Sequence, residues 1–283
     1  MNTIGVVARV TVKEASRRRL LAALAAISLA MVGLSAWGFS RFTRGAGVLP
    51  SGDARASTAA ALIAFMFMFS FVICLSAVVI AAPAVSGELD SGVGQSVLVR
   101  PVRRWEVLLG KWCGMAAVVA AYGVAVGALE VLVVWAVSGY HPPNPAAAIA
   151  YLVFEGLVVL TLTLTLSTVL APMTAGAVAV ALFGAAWLAG VVGTIGSTLG
   201  IGSLQTAGRV AKVVLPTDGL WHGAIWYLEP ASLFDRVLGR GGGRIADPFT
   251  SSGGPPVAYV VWAAAWVLLV FAAAVHRFSR TEP

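Results

Sequence analysis

The sequence predicts an all-α integral membrane protein with six transmembrane helices, on three observations. Hydrophobic residues make up 59% of the 283 and charged residues only 11%, less than half the roughly 25% that a water-facing domain carries. The apolar residues come in blocks of about 20, the length a helix needs to cross roughly 30 Å of hydrocarbon, and the mean hydropathy is +0.90. The basic residues gather at the ends of those blocks, as membrane orientation requires.

Residues 4–19 read as an N-terminal interfacial amphipathic helix. At about 100° per residue, Ile4, Val7, Ala8, Thr11 and Ala15 share one face. Arg9, Lys13 and Arg17 stack on the other, and Val6 falls out of the pattern. The first span, 20–40, follows Arg17, Arg18 and Arg19. Its apolar run exceeds the roughly 7–15 residues of a secretory signal, so it reads as a retained helix. After a loop at 41–57 comes the second span, 59–82, closed by Pro83. The remaining spans are 112–138, 149–171, 175–199 and 257–275, which makes residues 1–283 one transmembrane domain. His141-Pro142-Pro143-Asn144-Pro145 is a rigid turn and Ala171-Pro172-Met173-Thr174 a minimal hairpin connection.

Orientation follows from lysine and arginine in the short flanking segments. With the N-terminus inside, the inner side holds eleven (Arg9, Lys13, Arg17, Arg18, Arg19, Arg100, Arg103, Arg104, Lys111, Arg277 and Arg280) and the short outer loops hold three (Arg41, Arg44 and Arg55). Six spans then place both termini on the cytoplasmic side of the cell membrane. The one long loop, 200–256, lies outside between the fifth and sixth spans. Within it Thr217-Asp218 is placed to cap a short helix after Pro216, with Leu220, Trp221, Ala224, Ile225 and Leu228 on one side. Trp221, Trp226 and Tyr227 suit a membrane–water interface, so this helix reads as interfacial or partly re-entrant. The glycine-rich run 239–244 and the 251–256 segment read as flexible.

The net charge of +7 does not point to nucleic acid, because no basic stretch is interleaved with aromatics on a soluble domain. Cys74 and Cys113 stand far apart in apolar blocks, outside any CxxC or Cys/His cluster, and read as small apolar fillers. No metal site is expected. No catalytic residue stands out either. A GxxxxGK[ST] phosphate loop is absent, since Gly110-Lys111 is followed by Trp112 and position 105 is tryptophan; HExxH is absent, and His141, His222 and His276 are solitary. No cofactor is expected on this chain.

The most informative stretch runs from Gly87 to Lys111, between the second and third spans on the inner side. A link of a few residues would suffice there. Instead about 25 residues alternate acidic and basic charge around short apolar patches, and Pro101 divides them into two pieces. The pattern predicts a short helix in the interface, a turn, and an amphipathic lead-in to the third span. Such a surface suits contact with a soluble partner or with lipid headgroups.

This stretch resembles the signature of ABC-2 type transporter permeases. In that signature a Glu, a Gly-Thr, a Leu-rich helix, an Arg/Ser-Pro turn, an Arg and a Gly-Lys recur in order. Glu88, Gly92, Leu98, Pro101, Arg104, Gly110 and Lys111 fall on those positions, while Val93 replaces the usual Thr and Arg103 a small polar residue. The six-span layout and the N-terminal helix agree over nearly the whole chain. Residues 216–230 are also similar to the permease subfamily that includes the one used in nitrous oxide reductase maturation.

The resemblance implies a permease domain over 1–283 that couples ATP hydrolysis by a separate subunit to translocation, in the direction of export. It implies a dimer with a second permease protomer, two ABC ATPase subunits that hold ATP and Mg, and a cytoplasmic coupling helix between spans 2 and 3. Glu88, Asp90, Gly92, Arg100, Pro101, Arg103 and Arg104 then form the ATPase-coupling surface. The alternative for these charges is a solvated, headgroup-binding face.

The second and fifth spans line the path between protomers in the family. Phe65, Phe69 and Gly193 are therefore candidates for the translocation path, together with the intramembrane carboxylates Glu130 and Glu155. Each has a structural alternative: lipid or core packing for the Phe/Met run 65–71, hydrogen-bonded acids for the two glutamates. Ala185, Ala189, Gly193 and Ser197 at four-residue spacing, with Gly196 and Gly200, permit close helix approach. An ATP-independent secondary transporter and a membrane anchor or assembly protein are the competing functions, though no internal repeat supports the first.

Overall fold

The computed structural model describes residues 3–16, 19–45, 51–87, 103–229 and 253–280. Among the described residues the elements are all helical: α1 (Thr3–Ser16), α2 (Arg19–Gly45), α3 (Ser51–Ala81), α4 (Arg104–Ser138), α5 (Pro145–Ser167), α6 (Pro172–Leu199), α7 (Gly202–Val214), α8 (Thr217–Leu228) and α9 (Val257–Arg280). Six are long and apolar enough to cross a membrane: α2, α3, α4, α5, α6 and α9. α3 and α5 are the most enclosed and α9 the least. The side of the bundle bearing residues 82–87 and 103–111 is called the signature side below; the ends of α4 and α6 mark the opposite side.

Short local rules set the connections. Gly139 (φ 69) ends α4 in the left-handed conformation that glycine adopts without strain. Asn144 then caps α5, its Oδ1 accepting from Ala147 N at 3.1 Å, with Pro145 in the first helical position. At the signature side Pro172 opens α6 directly after the 168–171 turn. The third span begins at Arg104, so the amphipathic lead-in and the span are one helix of 35 residues.

α1 packs against the start of α4. A side chain at Gly110 would collide with Val7 and with the Ile4 carbonyl (2.9 Å), and one at Gly114 with the Ala8 carbonyl (2.6 Å) and Thr11. The face of Ile4, Val7, Ala8 and Thr11 thus meets protein, and Ala15 on the same face is buried. Val6 and Val10, both exposed, take the side bearing Arg9 and Lys13. The helical wheel identified the apolar face, but a neighbouring helix covers it instead of lipid.

The loop reading of 200–256 needs correction over its first half. Gly200 (φ 69) reverses the chain, and α7 runs back down α6. Gly196 lies against Leu204 and Gln205, and the Gly193 and Gly208 backbones touch; a Cβ at Gly193 would stand 2.8 Å from Gly208 Cα. α8 returns along α5, with Gly223 against Tyr151, Tyr227 stacked on Tyr151 at 5.7 Å, and Tyr227 O accepting from Asn144 N. Thr217 lies ten residues from Tyr227, so the turn at Leu215-Pro216 sits roughly 15 Å below the α5 start at 1.5 Å per residue. α5 itself has 23 residues, roughly 34 Å. α7 and α8 therefore form a re-entrant hairpin that reaches the middle of the bundle. Leu220, Trp221, Ala224, Ile225 and Leu228 are all buried in protein, so Trp221 is a core residue and not a half-wet interface ring. Trp226 keeps an exposed edge.

Candidate functional site

Two regions carry the residues singled out from sequence. The first is the signature. Glu88, Asp90, Gly92, Arg100 and Pro101 lie outside the described residues; Arg103, Arg104, Gly110 and Lys111 lie within them. Arg103 is exposed and precedes α4 in an extended conformation, its carbonyl accepting from Glu106 N at 2.9 Å. Arg104 Nη1 donates to Phe278 O near the end of α9 at 3.1 Å. Lys111 is buried, and its Nζ donates to Ala84 O just past the end of α3 at 2.6 Å. The last carbonyls of a helix have no partner within it and carry its negative dipole end, so cations are stable there. Gly110 provides the seat for α1 described above.

The second region is the middle of the bundle. Glu130 is fully buried, and its Oε2 accepts from Ser35 on α2 at 2.9 Å. Glu155 is buried on α5, and its Oε2 accepts from Ser70 on α3 at 2.8 Å. The two glutamates thus serve two different helix pairs. Ser28 and Tyr122 (2.5 Å) and Trp112 and Thr161 (2.9 Å) form further clasps between helices, the kind of contact that holds spans together where lipid supplies no hydrophobic drive. Phe69 is fully buried. Phe65 is half-buried, with its ring 6.0 Å from that of Phe39. Phe67, Phe71, Phe183, Trp187 and Trp221 make one aromatic cluster joining α3, α6 and α8. The Phe/Met run is therefore largely core. Gly193 makes its close contact within the chain, against Gly208.

The hairpin tip brings together residues that the sequence did not connect. α7 ends in the middle of the bundle, where its last carbonyls need donors and water is scarce. α9 supplies three. Tyr259 Oη donates to Lys212 O (3.1 Å), Trp262 Nε1 to Val213 O (3.1 Å) and Trp266 Nε1 to Val214 O (2.8 Å). Their spacing of three and four residues, one face of a helix, is the signal that was available. Asp218 does not cap α8 with its side chain. Its carboxylate pairs with Lys212 at 3.2 Å and lies in the space a Cβ at Gly190 would take, while His222 Nδ1 stands 2.8 Å from the Asp218 carbonyl. At the mouth of the hairpin Tyr140 Oη donates to Leu228 O at 2.8 Å. Burial, with Glu229 nearby, pushes the Tyr140 phenol above its usual range, so it remains a donor at physiological pH.

A family profile described as ABC-2 family transporter protein matches residues 7–282, both regions included. The chain belongs to the ABC-2 transporter family. No curated protein matches it. As an ABC-2 family protein with six apolar helices, it is a multi-pass membrane permease, the transport component of an ABC transporter. The signature that suggested the family and the helices it joins thus fall within one matched region. Among the described residues no group of three or more His, Cys, Asp or Glu side chains is placed to hold a metal ion.

Proposed function

We propose that this ABC-2 permease is an exporter subunit in the cell membrane, driven by ATP hydrolysis on separate ABC ATPase subunits that bind its signature segment. The single observation that carries the reading is the family match, which spans the signature and all six membrane helices together. The whole of 1–283 acts as one permease domain, and two protomers, each with an ATPase subunit holding ATP and Mg, form the working assembly. Both termini and residues 84–111 face the cytoplasm, as the basic asymmetry supports. Glu88, Asp90, Gly92, Arg100, Pro101 and Arg103 belong to the ATPase-facing surface. Similarity of residues 216–230 to the permease of nitrous oxide reductase maturation supports kinship with that subfamily on this segment alone.

Glu88→Ala tests the reading, because it removes an acceptor of charge-assisted hydrogen bonds without touching a span. The variant is expected to insert as wild type, but to hold the ATPase subunit more loosely or leave its ATP hydrolysis uncoupled. Wild-type binding and coupling would make 88–104 a headgroup-facing surface and remove the exporter reading. On a background with Cys74 and Cys113 replaced, a cysteine at position 95 should react with an impermeant maleimide only from the cytoplasmic side. Reaction from outside alone would overturn the orientation.

A further inference from the structure

One face of α7 packs on α6, where Gly208 meets Gly193, and α9 reaches its lower end through the Trp262 bond to Val213 O. The opposite face is uncovered. Ser203, Thr206, Arg209, Val210, Val213 and Val214 are all exposed, and at 100° per residue they fall within an arc of about 140°. Polarity along this face is sorted by depth. Ser203 and Thr206 lie toward the start of α7, while Val210, Val213 and Val214, each more than half exposed, lie toward the tip.

Arg209 stands at the boundary between the two halves. Its neighbour Gly208 touches Gly193, six residues before α6 ends at Leu199, which places Arg209 roughly 9 Å inside that end. Helical side chains tilt toward the start of their own helix, and for α7 that direction leads out of the membrane. Arg209 Nη2 accordingly donates to Thr206 Oγ1, one turn nearer the surface, at 3.4 Å. The Thr206 hydroxyl itself donates to Gly202 O at 2.9 Å, so it is a fixed acceptor that orients the guanidinium.

A guanidinium carries five N–H donors, and Thr206 takes one of them. Lys212, the other cation of α7, is already paired with Asp218 at 3.2 Å. Arg209 has no such counter-charge. Among the described side chains away from the signature side the carboxylates are Glu130, Glu155, Asp218 and Glu229, and all four are buried. A second copy of this chain packed on the face would bring none of them to Arg209.

We propose that the uncovered face of α7 is a seat for an anionic phospholipid in the leaflet opposite the signature side. Arg209 holds the phosphate, and an acyl chain lies along Val210, Val213 and Val214. The planar guanidinium matches paired phosphate oxygens, and the valines below it offer a chain no competing polar group. A headgroup with a net negative charge is preferred, because a zwitterionic one brings its own cation to compete with Arg209. The inference rests on the membrane-spanning fold and not on coupling to an ATPase.

The test places the photo-crosslinker p-benzoylphenylalanine at position 213 of the full chain, in vesicles of phosphatidylglycerol and phosphatidylcholine in equal amounts. Captured lipid is identified by mass spectrometry after irradiation. Phosphatidylglycerol should be captured in about fivefold preference, the gain expected from one basic residue at an anionic headgroup. Arg209→Gln should return the ratio to that of the vesicle. Salt at about 1 M, where screening acts within about 3 Å, should do the same with Arg209 in place, and it decides the matter if Arg209→Gln fails to fold. The same crosslinker at position 132 is the control: Leu132 is exposed, six residues before the end of α4, and should give the vesicle ratio. No preference at position 213, or an equal one at position 132, would overturn the proposal. So would a preference that survives Arg209→Gln or high salt. Capture of a second copy of this chain in place of lipid would make the face an interface between copies and overturn it as well.

Discussion

At the signature side and in the middle of the bundle the same problem arises: a helix ends and its last carbonyls need donors. The solutions differ. At the signature side cations donate, Lys111 to Ala84 O and Arg104 to Phe278 O. At the hairpin tip the donors are neutral, Tyr259, Trp262 and Trp266, and the nearby cation, Lys212, is tied to Asp218. The difference follows from distance to water. Near the edge a cation gives up less hydration than at mid-depth, even when enclosed as Lys111 is, and gains from the helix dipole. Halfway through the hydrocarbon it would lose that hydration, so charges occur there in pairs and single donors are neutral.

The contrast makes predictions that descend in size. Gly193→Leu should have the largest effect, because the Gly193 and Gly208 backbones already touch. Overpacking costs roughly 1–3 kcal/mol in a core that can adjust, and here the obstacle is backbone. Hydrogen exchange should therefore report α7 and α8 released while α1 and the start of α4 stay protected. Unchanged protection of 202–228 would contradict the re-entrant packing.

Asp218→Ala comes next. It leaves Lys212 without its counter-charge, and breaking a buried pair costs about 3–5 kcal/mol. The Lys212 side chain is 34% exposed, so a loss of about 2 kcal/mol is expected in denaturant titrations. Adding Lys212→Met should recover part of it. If the double variant is less stable than Asp218→Ala alone, the pair is not what holds the tip.

The sharpest comparison is the smallest in size. Trp266→Phe leaves Val214 O without its donor at mid-membrane depth, where lipid offers no replacement, and should cost about 2 kcal/mol, within the range for an unsatisfied polar group. Arg104→Met frees a carbonyl near the membrane edge, where water can replace the lost donor, and should cost under about 1 kcal/mol. Charge-assisted bonds are ordinarily the stronger class. A larger loss of stability from Arg104→Met than from Trp266→Phe would remove distance to water as the explanation.

How much of this was legible in the sequence depended on the range of the interaction. The spans were legible because each is a local apolar run, and α8 was visible after Pro216 for the same reason. α7 was not, since its 13 residues are too short to cross a membrane and include Arg209 and Lys212; it is held by glycines on α6 and aromatic rings on α9. The amphipathic pattern of α1 was clear, but a wheel does not say what covers the apolar face. Glu130 and Glu155 were recognisable as intramembrane acids. Their partners Ser35 and Ser70 stand 95 and 85 residues away, beyond any local pattern. For the signature, order of residues suggested the family, while the inward-directed bonds of Arg104 and Lys111 depend on where α3 and α9 end.

The central claim is that this permease draws on ATP hydrolysed by another polypeptide. The most direct measurement is ATP hydrolysis by the chain purified gently from its own membrane, before and after a wash that strips bound subunits. The account predicts an ABC ATPase subunit in the first preparation with matching hydrolysis, and both lost together in the second. A chain that carries no ATPase subunit and transports without ATP, or one that hydrolyses ATP after stripping, would contradict it.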